Sequence, residues 1–110
     1  MIETVVRNYL IGLLDTGVFL EIPQEGTFFV VIEKTGSSWS DHICTSTLAV
    51  QSYADSLFEA ASLNERVKEA MNGIIELDEI IDCQLDSDYN YTDTDTKKYR
   101  YQAVFDITHY

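Results

Sequence analysis

Basic residues are scarce in this chain of 110 residues, which carries 7 of them against 19 acids, for a net charge of -12. Gripping a nucleic-acid backbone takes a clustered basic surface, so specific nucleic-acid binding is not expected, and an anionic membrane is disfavoured for the same reason. No apolar stretch approaches the roughly 20 residues of a membrane span. The first residues carry Glu3, Arg7 and Asn8 with no basic start or cleavage-like site, so they do not read as an export signal. Cysteine is confined to Cys44 and Cys83, 39 positions apart and without the close pairing of a metal or redox motif. Both read as reduced thiols on strands of a cytosolic protein, and the Asn90-Tyr91-Thr92 match to a glycosylation sequon is then fortuitous. Proline occurs once, at Pro23, and neither a repeat nor a linker is visible. A chain of this length supports one core, so residues 1–110 are read as a single domain.

Chemistry is also missing from the local patterns. Asp86-Ser87-Asp88-Tyr89-Asn90 begins like a calcium loop, but Tyr91 stands where that loop needs glycine and Lys97 where it needs a bidentate glutamate. Ser40-Asp41-His42 holds the residue types of a hydrolase triad, yet working triads converge from separate segments. Lys34-Thr35-Gly36-Ser37 has the letters of a phosphate loop in the wrong order. His42 and His109 have no zinc-like spacing to either cysteine. Asp93 and Asp95 read as a solvated turn. The expectation is a protein that is not an enzyme and takes no cofactor and no metal.

What is present is alternation. Val5, Val6, Tyr9, Leu10, Leu13 and Leu14 recur at helical spacing, which predicts a helix over residues 2–14. A short strand over 18–22 ends at Pro23, and the β-branched and aromatic run from Thr27 to Ile32 predicts a second strand. Residues 34–41 read as a polar loop, and 43–51 as a third strand. From Tyr53 the period changes to 3.6, and the capping-box spacing of Ser62 and Glu65 predicts a break and a second short helix over 64–71. The fold expected is α+β. A largely antiparallel sheet of about four to five strands carries an N-terminal helix and a central helical pair on one face, with a long C-terminal β-hairpin.

That hairpin carries the clearest pattern. Tyr99, Tyr101, Ala103, Phe105 and Ile107 alternate with polar residues, and Tyr91, Tyr89, Ser87, Leu85, Cys83 and Ile81 do so in the preceding arm. Folding about Thr94 pairs Tyr89 with Tyr99, Ser87 with Tyr101, Leu85 with Ala103 and Cys83 with Phe105, and sets Asp88 opposite Arg100. Arms of about eleven residues run roughly 35 Å, so the far end is expected to overhang. Four of the seven tyrosines, Tyr89, Tyr91, Tyr99 and Tyr101, then share one face there. Either another protein covers them or the hairpin curls onto its own core. Trp39, in the polar loop, is either a lid over the core edge or an anchor for a partner. The candidate interface is therefore Tyr89, Tyr91, Tyr99, Arg100, Tyr101, Asp88 and Trp39.

Several segments taken together resemble a known family. Thr27-Phe28-Phe29-Val30-Val31-Ile32-Glu33-Lys34-Thr35-Gly36, then Ala49-Val50-Gln51-Ser52-Tyr53-Ala54, residues 60–71, and Tyr99-Arg100-Tyr101-Gln102-Ala103-Val104-Phe105 are similar to the tail terminator, or tail completion, proteins of long-tailed bacteriophages and prophages. Ser37 stands where many members have the second glycine of a Gly-Gly pair. The resemblance implies a structural virion protein that assembles as a homohexameric ring on the head-proximal end of the tail tube. Such a ring ends tube polymerisation and offers a head-tail joining surface. The implied partners are copies of itself, the tail tube protein and the head-tail connector, and DNA passes through the ring without specific binding. The implied place is the virion tail, assembled in the cytoplasm of the bacterial host. An acidic protein-binding module of the DNA-mimic type, monomeric or dimeric and working through the carboxylates of residues 76–95, is the alternative.

Overall fold

The computed structural model describes residues 1–110, and its longest helix has 15 residues, so no helix is long and apolar enough to cross a membrane. The elements run α1 (Ile2–Ile11), β1 (Gly17–Phe19), β2 (Phe29–Ser40), β3 (Ile43–Ala54), α2 (Leu57–Met71), a 3-10 turn (Ile74–Glu76), β4 (Ile80–Asn90) and β5 (Tyr99–His109). The five strands form one sheet in the order β1-β2-β3-β5-β4, antiparallel except where β1 meets β2. The fold is α+β. β5 lies between β3 and β4, and α2 carries the chain across to β4.

Period decides which face of the sheet is dry. Val30 and Ile32 of β2, Leu48 and Val50 of β3, and Ala103, Phe105 and Ile107 of β5 meet Val6 and Leu10 of α1 and Leu63, Val67 and Met71 of α2 in one core of 17 buried residues. Both helices thus cover the same face. The opposite face has no helix and carries a small apolar cluster in which Phe29, Val31 and Tyr53 bury one another. Phe29 and Tyr53 stack at 4.7 Å.

Three sequence expectations change. The helical break at Ser62 does not occur, because α2 is continuous and is capped at Ser56, whose hydroxyl accepts the amide of Glu59. Ser56 and Glu59 have the same capping-box spacing six positions earlier, and the short partner helix is the 3-10 turn after Gly73.

The polar loop over residues 34–41 is instead the second half of β2, paired with β3 out to Ser40 opposite Ile43. A two-residue turn joins the arms, with Asp41 and His42 at φ of 51° and 66°. Two successive left-handed residues give the twist that a tight hairpin requires, and non-glycine residues there carry strain. Replacing His42 with glycine should therefore raise stability by about 1 kcal/mol. An upward shift of the urea midpoint with unchanged slope would register it.

The third change is the register of the C-terminal hairpin. Leu85 faces Phe105 and Cys83 faces Ile107, each two residues beyond the expected partner, and Ser87 faces Val104 and Tyr89 faces Gln102, each three residues beyond it. The shift has two local causes. At the turn, the Asp93 carboxylate accepts the amides of Asp95 and Thr96, and Lys97 takes a φ of 55°, which moves the turn's centre past Thr94. Asp86 then sits as the extra residue of a bulge between Leu85 and Ser87.

Candidate functional site

The shifted register divides the four hairpin tyrosines between two faces. Tyr99 and Tyr101 share the face of core-facing Ala103 and are half-buried on the helix side. Tyr89 and Tyr91 lie on the helix-free side with Gln102 and Arg100. The far end of the hairpin is less free than its length implied. Thr96, Lys97, Lys98 and Tyr99 line a hollow of about 310 Å³ together with the Ile22–Thr27 loop.

Asp88 does not face Arg100. It points toward α2, where its carboxylate accepts Lys68 Nζ at 2.8 Å and Asn64 Nδ2 at 3.0 Å. Asp88 first, then Glu65, holds the Lys68 ammonium above the usual lysine range. Arg100 turns to aromatic partners instead. Its guanidinium lies 4.4 Å from the Tyr91 ring centre, donates to the Tyr91 carbonyl at 2.6 Å, and donates to Tyr53 Oη at 2.9 Å.

From Arg100 a relay of hydrogen bonds crosses the helix-free face. Tyr53 Oη donates to Gln51 Oε1 at 3.4 Å, Gln51 Nε2 donates to Gln102 Oε1 at 2.8 Å, and Gln102 Nε2 donates to Tyr89 Oη at 2.6 Å. Each group accepts from one neighbour and donates to the next, an arrangement in which the bonds polarise one another. Gln51 and Gln102 are both buried, and sequence reading had assigned them no role. Their place opposite one another on β3 and β5 is the signal that an alternation of buried glutamines offers, and it becomes visible only once β3 and β5 are known to be neighbours.

The relay ends at Tyr89, and Tyr89 belongs to an edge. β4 is the last strand of the sheet, so its outer backbone groups have no strand partner. Along it stand Ile81, Leu85 and Tyr89, followed by Tyr91, each between 41% and 46% exposed. Tyr89 and Tyr91 meet edge to face at 5.8 Å. Natural edge strands are usually blunted by bulges and charge. β4 has both, with bulges at Ile81 and Asp86, yet it keeps four large apolar side chains in water.

On the helix side of β4 a groove of about 330 Å³ separates the strand from α2. Cys83, Leu85, Phe105 and Met71 line it, with Glu65, Lys68 and Glu69 around them. Burial first, and the neighbouring Asp82 charge second, push the Cys83 thiol up to about 11. The protonated thiol is the form that folding favours, so its contribution is complete below the ordinary value of 9.0 and fades as pH rises toward 11. Lys68 acts in the same direction, because a raised ammonium pKa favours the folded state until that group deprotonates. Stability should therefore fall as pH rises past about 9 toward 11, and native Cys83 should react with iodoacetamide at pH 8 far more slowly than in the urea-unfolded chain.

Trp39 lies near the end of β2, opposite Cys44 rather than in a loop, and is 68% exposed. His42 meets it edge to face at 5.9 Å. A nucleophile-to-base contact that the sequence did not signal lies nearby, where Ser46 Oγ is 2.8 Å from His109 Nε2. Ser46 is 2% exposed, so a substrate carbonyl has no approach to its hydroxyl, and the pair ties β3 to β5. Ser40, Asp41 and His42 form the turn of the first hairpin and do not converge.

A scan against protein-family models finds no match for the chain, and no curated protein is significantly similar to it.

Proposed function

We propose that this chain is a self-assembling structural protein of the tail-terminator type, forming a ring at the head-proximal end of a phage tail tube. The ring would stop tube growth and offer the surface to which a head connector joins. The observation that carries the reading is the outer edge of β4, whose backbone has no strand partner and along which Ile81, Leu85, Tyr89 and Tyr91 are each more than two-fifths exposed, Leu85 on the helix side and the two tyrosines on the other. A surface of that kind is stabilised by a neighbour and is a liability without one.

The geometry supports a ring over a two-fold dimer. A ring needs a heterologous contact, in which one surface of each subunit meets a different surface of the next. The two ends of this sheet are different surfaces, with β4 at one side and β2 with the short β1 at the other. Charge is compatible with the role, since a net charge of -12 repels a DNA duplex and lets it slide through a passage. The segments that resemble tail terminators fall on β2, the end of β3, α2 and β5, the elements that build the sheet and its helical cover.

Electron micrographs of the purified protein with and without tail tubes test this reading. Annular particles that bind one end of each tube, together with shorter tubes when the protein is added during polymerisation, are expected. Particles that ignore tubes and remain monomeric would favour the acidic binding module instead.

A further inference from the structure

Resting on the ring reading, we propose that the occupant of the β4 edge is the β2 ribbon of a second copy, with that copy's Trp39 seated in the groove between α2 and β4. Both edges are open. β1 covers β2 only from Phe29 to Val31, which leaves the outer side of residues 32–40 without a strand partner, a length close to that of β4. Joining the two edges would continue one sheet across the subunit boundary, each chain supplying the backbone donors and acceptors that the other lacks.

The faces agree. Cys44, Ser46, Leu48 and Val50 alternate along β3 without a register break against β5, and Leu48 and Val50 are in the core, so Cys44 lies on the helix side. Trp39 is opposite Cys44 and lies on that side too. In a sheet continued past β4 with helices on one side, Trp39 arrives on the face where Leu85 and Cys83 line the α2 groove. The most exposed large aromatic anchor on the ribbon and the apolar groove beside the opposite edge thus fall on one face.

Charge selects the pairing. The β4 edge carries Asp82 and Asp86, so two copies of β4 set side by side would bring like charges together. Over residues 32–40 of β2 the charges of Glu33 and Lys34 cancel and Thr35 to Ser40 carry none, so this edge brings no net negative charge to that acidic one. Pairing β2 with β2 would leave the groove empty. The mixed contact satisfies both edges, and a mixed contact is the one that closes rings.

The test uses the full chain with Trp39→Ala and Leu85→Arg made separately. Both side chains are exposed, so far-UV circular dichroism should show native folds. Each variant alone should sediment as a monomer, with association weakened at least 100-fold. An equimolar mixture should give heterodimers and nothing larger, since one variant keeps the groove and the other keeps the tryptophan. The chain's single tryptophan reports independently. Its emission should shift to the blue and resist acrylamide quenching in the wild-type assembly, and return to a solvent-exposed value in Leu85→Arg. If the wild type assembles while both variants assemble equally well, or the mixture forms no heterodimer, the contact is wrong and the ring reading survives. A wild type that stays monomeric overturns both.

Discussion

Gln102→Leu should lower the stability of the fold by about 2–4 kcal/mol, a large share of what a domain of this size holds. Gln102 stands in the middle of the relay, accepting from Gln51 Nε2 and donating to Tyr89 Oη. Leucine fills a similar volume but leaves the Gln51 amide buried without an acceptor, and an unsatisfied buried group costs more than a made hydrogen bond returns. Tyr89 loses its tether at the same time. Thermal unfolding followed by circular dichroism should show a midpoint lower by roughly 10–20 °C. The double variant Gln51→Leu with Gln102→Leu should recover part of the loss, because removing both partners strands fewer polar atoms than removing one. A single variant within about 1 kcal/mol of the wild type would mean that the relay contributes little beyond ordinary packing.

Tyr89→Ser combined with Tyr91→Ser should act on association rather than on folding. Both rings lie at the sheet edge, where water can replace the Tyr89 hydroxyl as acceptor for Gln102 Nε2, so the unfolding midpoint should fall by less than it does in Gln102→Leu. Tyrosine is enriched among the few interface residues that carry most of the binding energy, and the loss of two such contacts at about 1.4 kcal/mol each corresponds to a weakening on the order of 100-fold. Arg100 sharpens the expectation, since its guanidinium stacks over Tyr91 and presents a rigid aromatic-cation surface rather than a mobile one. Dilution of the assembled protein, followed by size-exclusion chromatography, should find the double variant dissociating at far higher concentration than the wild type. An unchanged profile would move the interface away from these tyrosines.

How far the sequence was legible depended on whether a feature lived in side-chain periodicity or in backbone geometry. The fold class, the core-facing residues of β5 and the pairing of the last two strands follow from alternation, because apolar side chains must sit on the dry face. The tyrosine grouping did not survive. One extra residue at Asp86 and an Asx turn at Asp93 change the register by odd steps, and an odd step sends a side chain to the other face. Thr35 to Ser40 read as a loop because its residues are polar, but an edge strand with solvent on both faces needs no apolar alternation. The turn at Asp41 and His42 was hidden for a related reason, since it lacks the glycine that usually marks a two-residue hairpin. The glutamine relay is a long-range product of β3 and β5 lying side by side, and no local pattern announces it. Trp39 was singled out from the sequence, but only the strand beneath it shows which face it serves.

Sedimentation equilibrium of the unmodified chain over a wide concentration range addresses the claim on which everything else rests, that the sheet's open edges are made for one another. The account predicts a closed species of fixed stoichiometry, a whole multiple of 12.5 kDa that stops growing as concentration rises. Particles of 12.5 kDa at every concentration would contradict it.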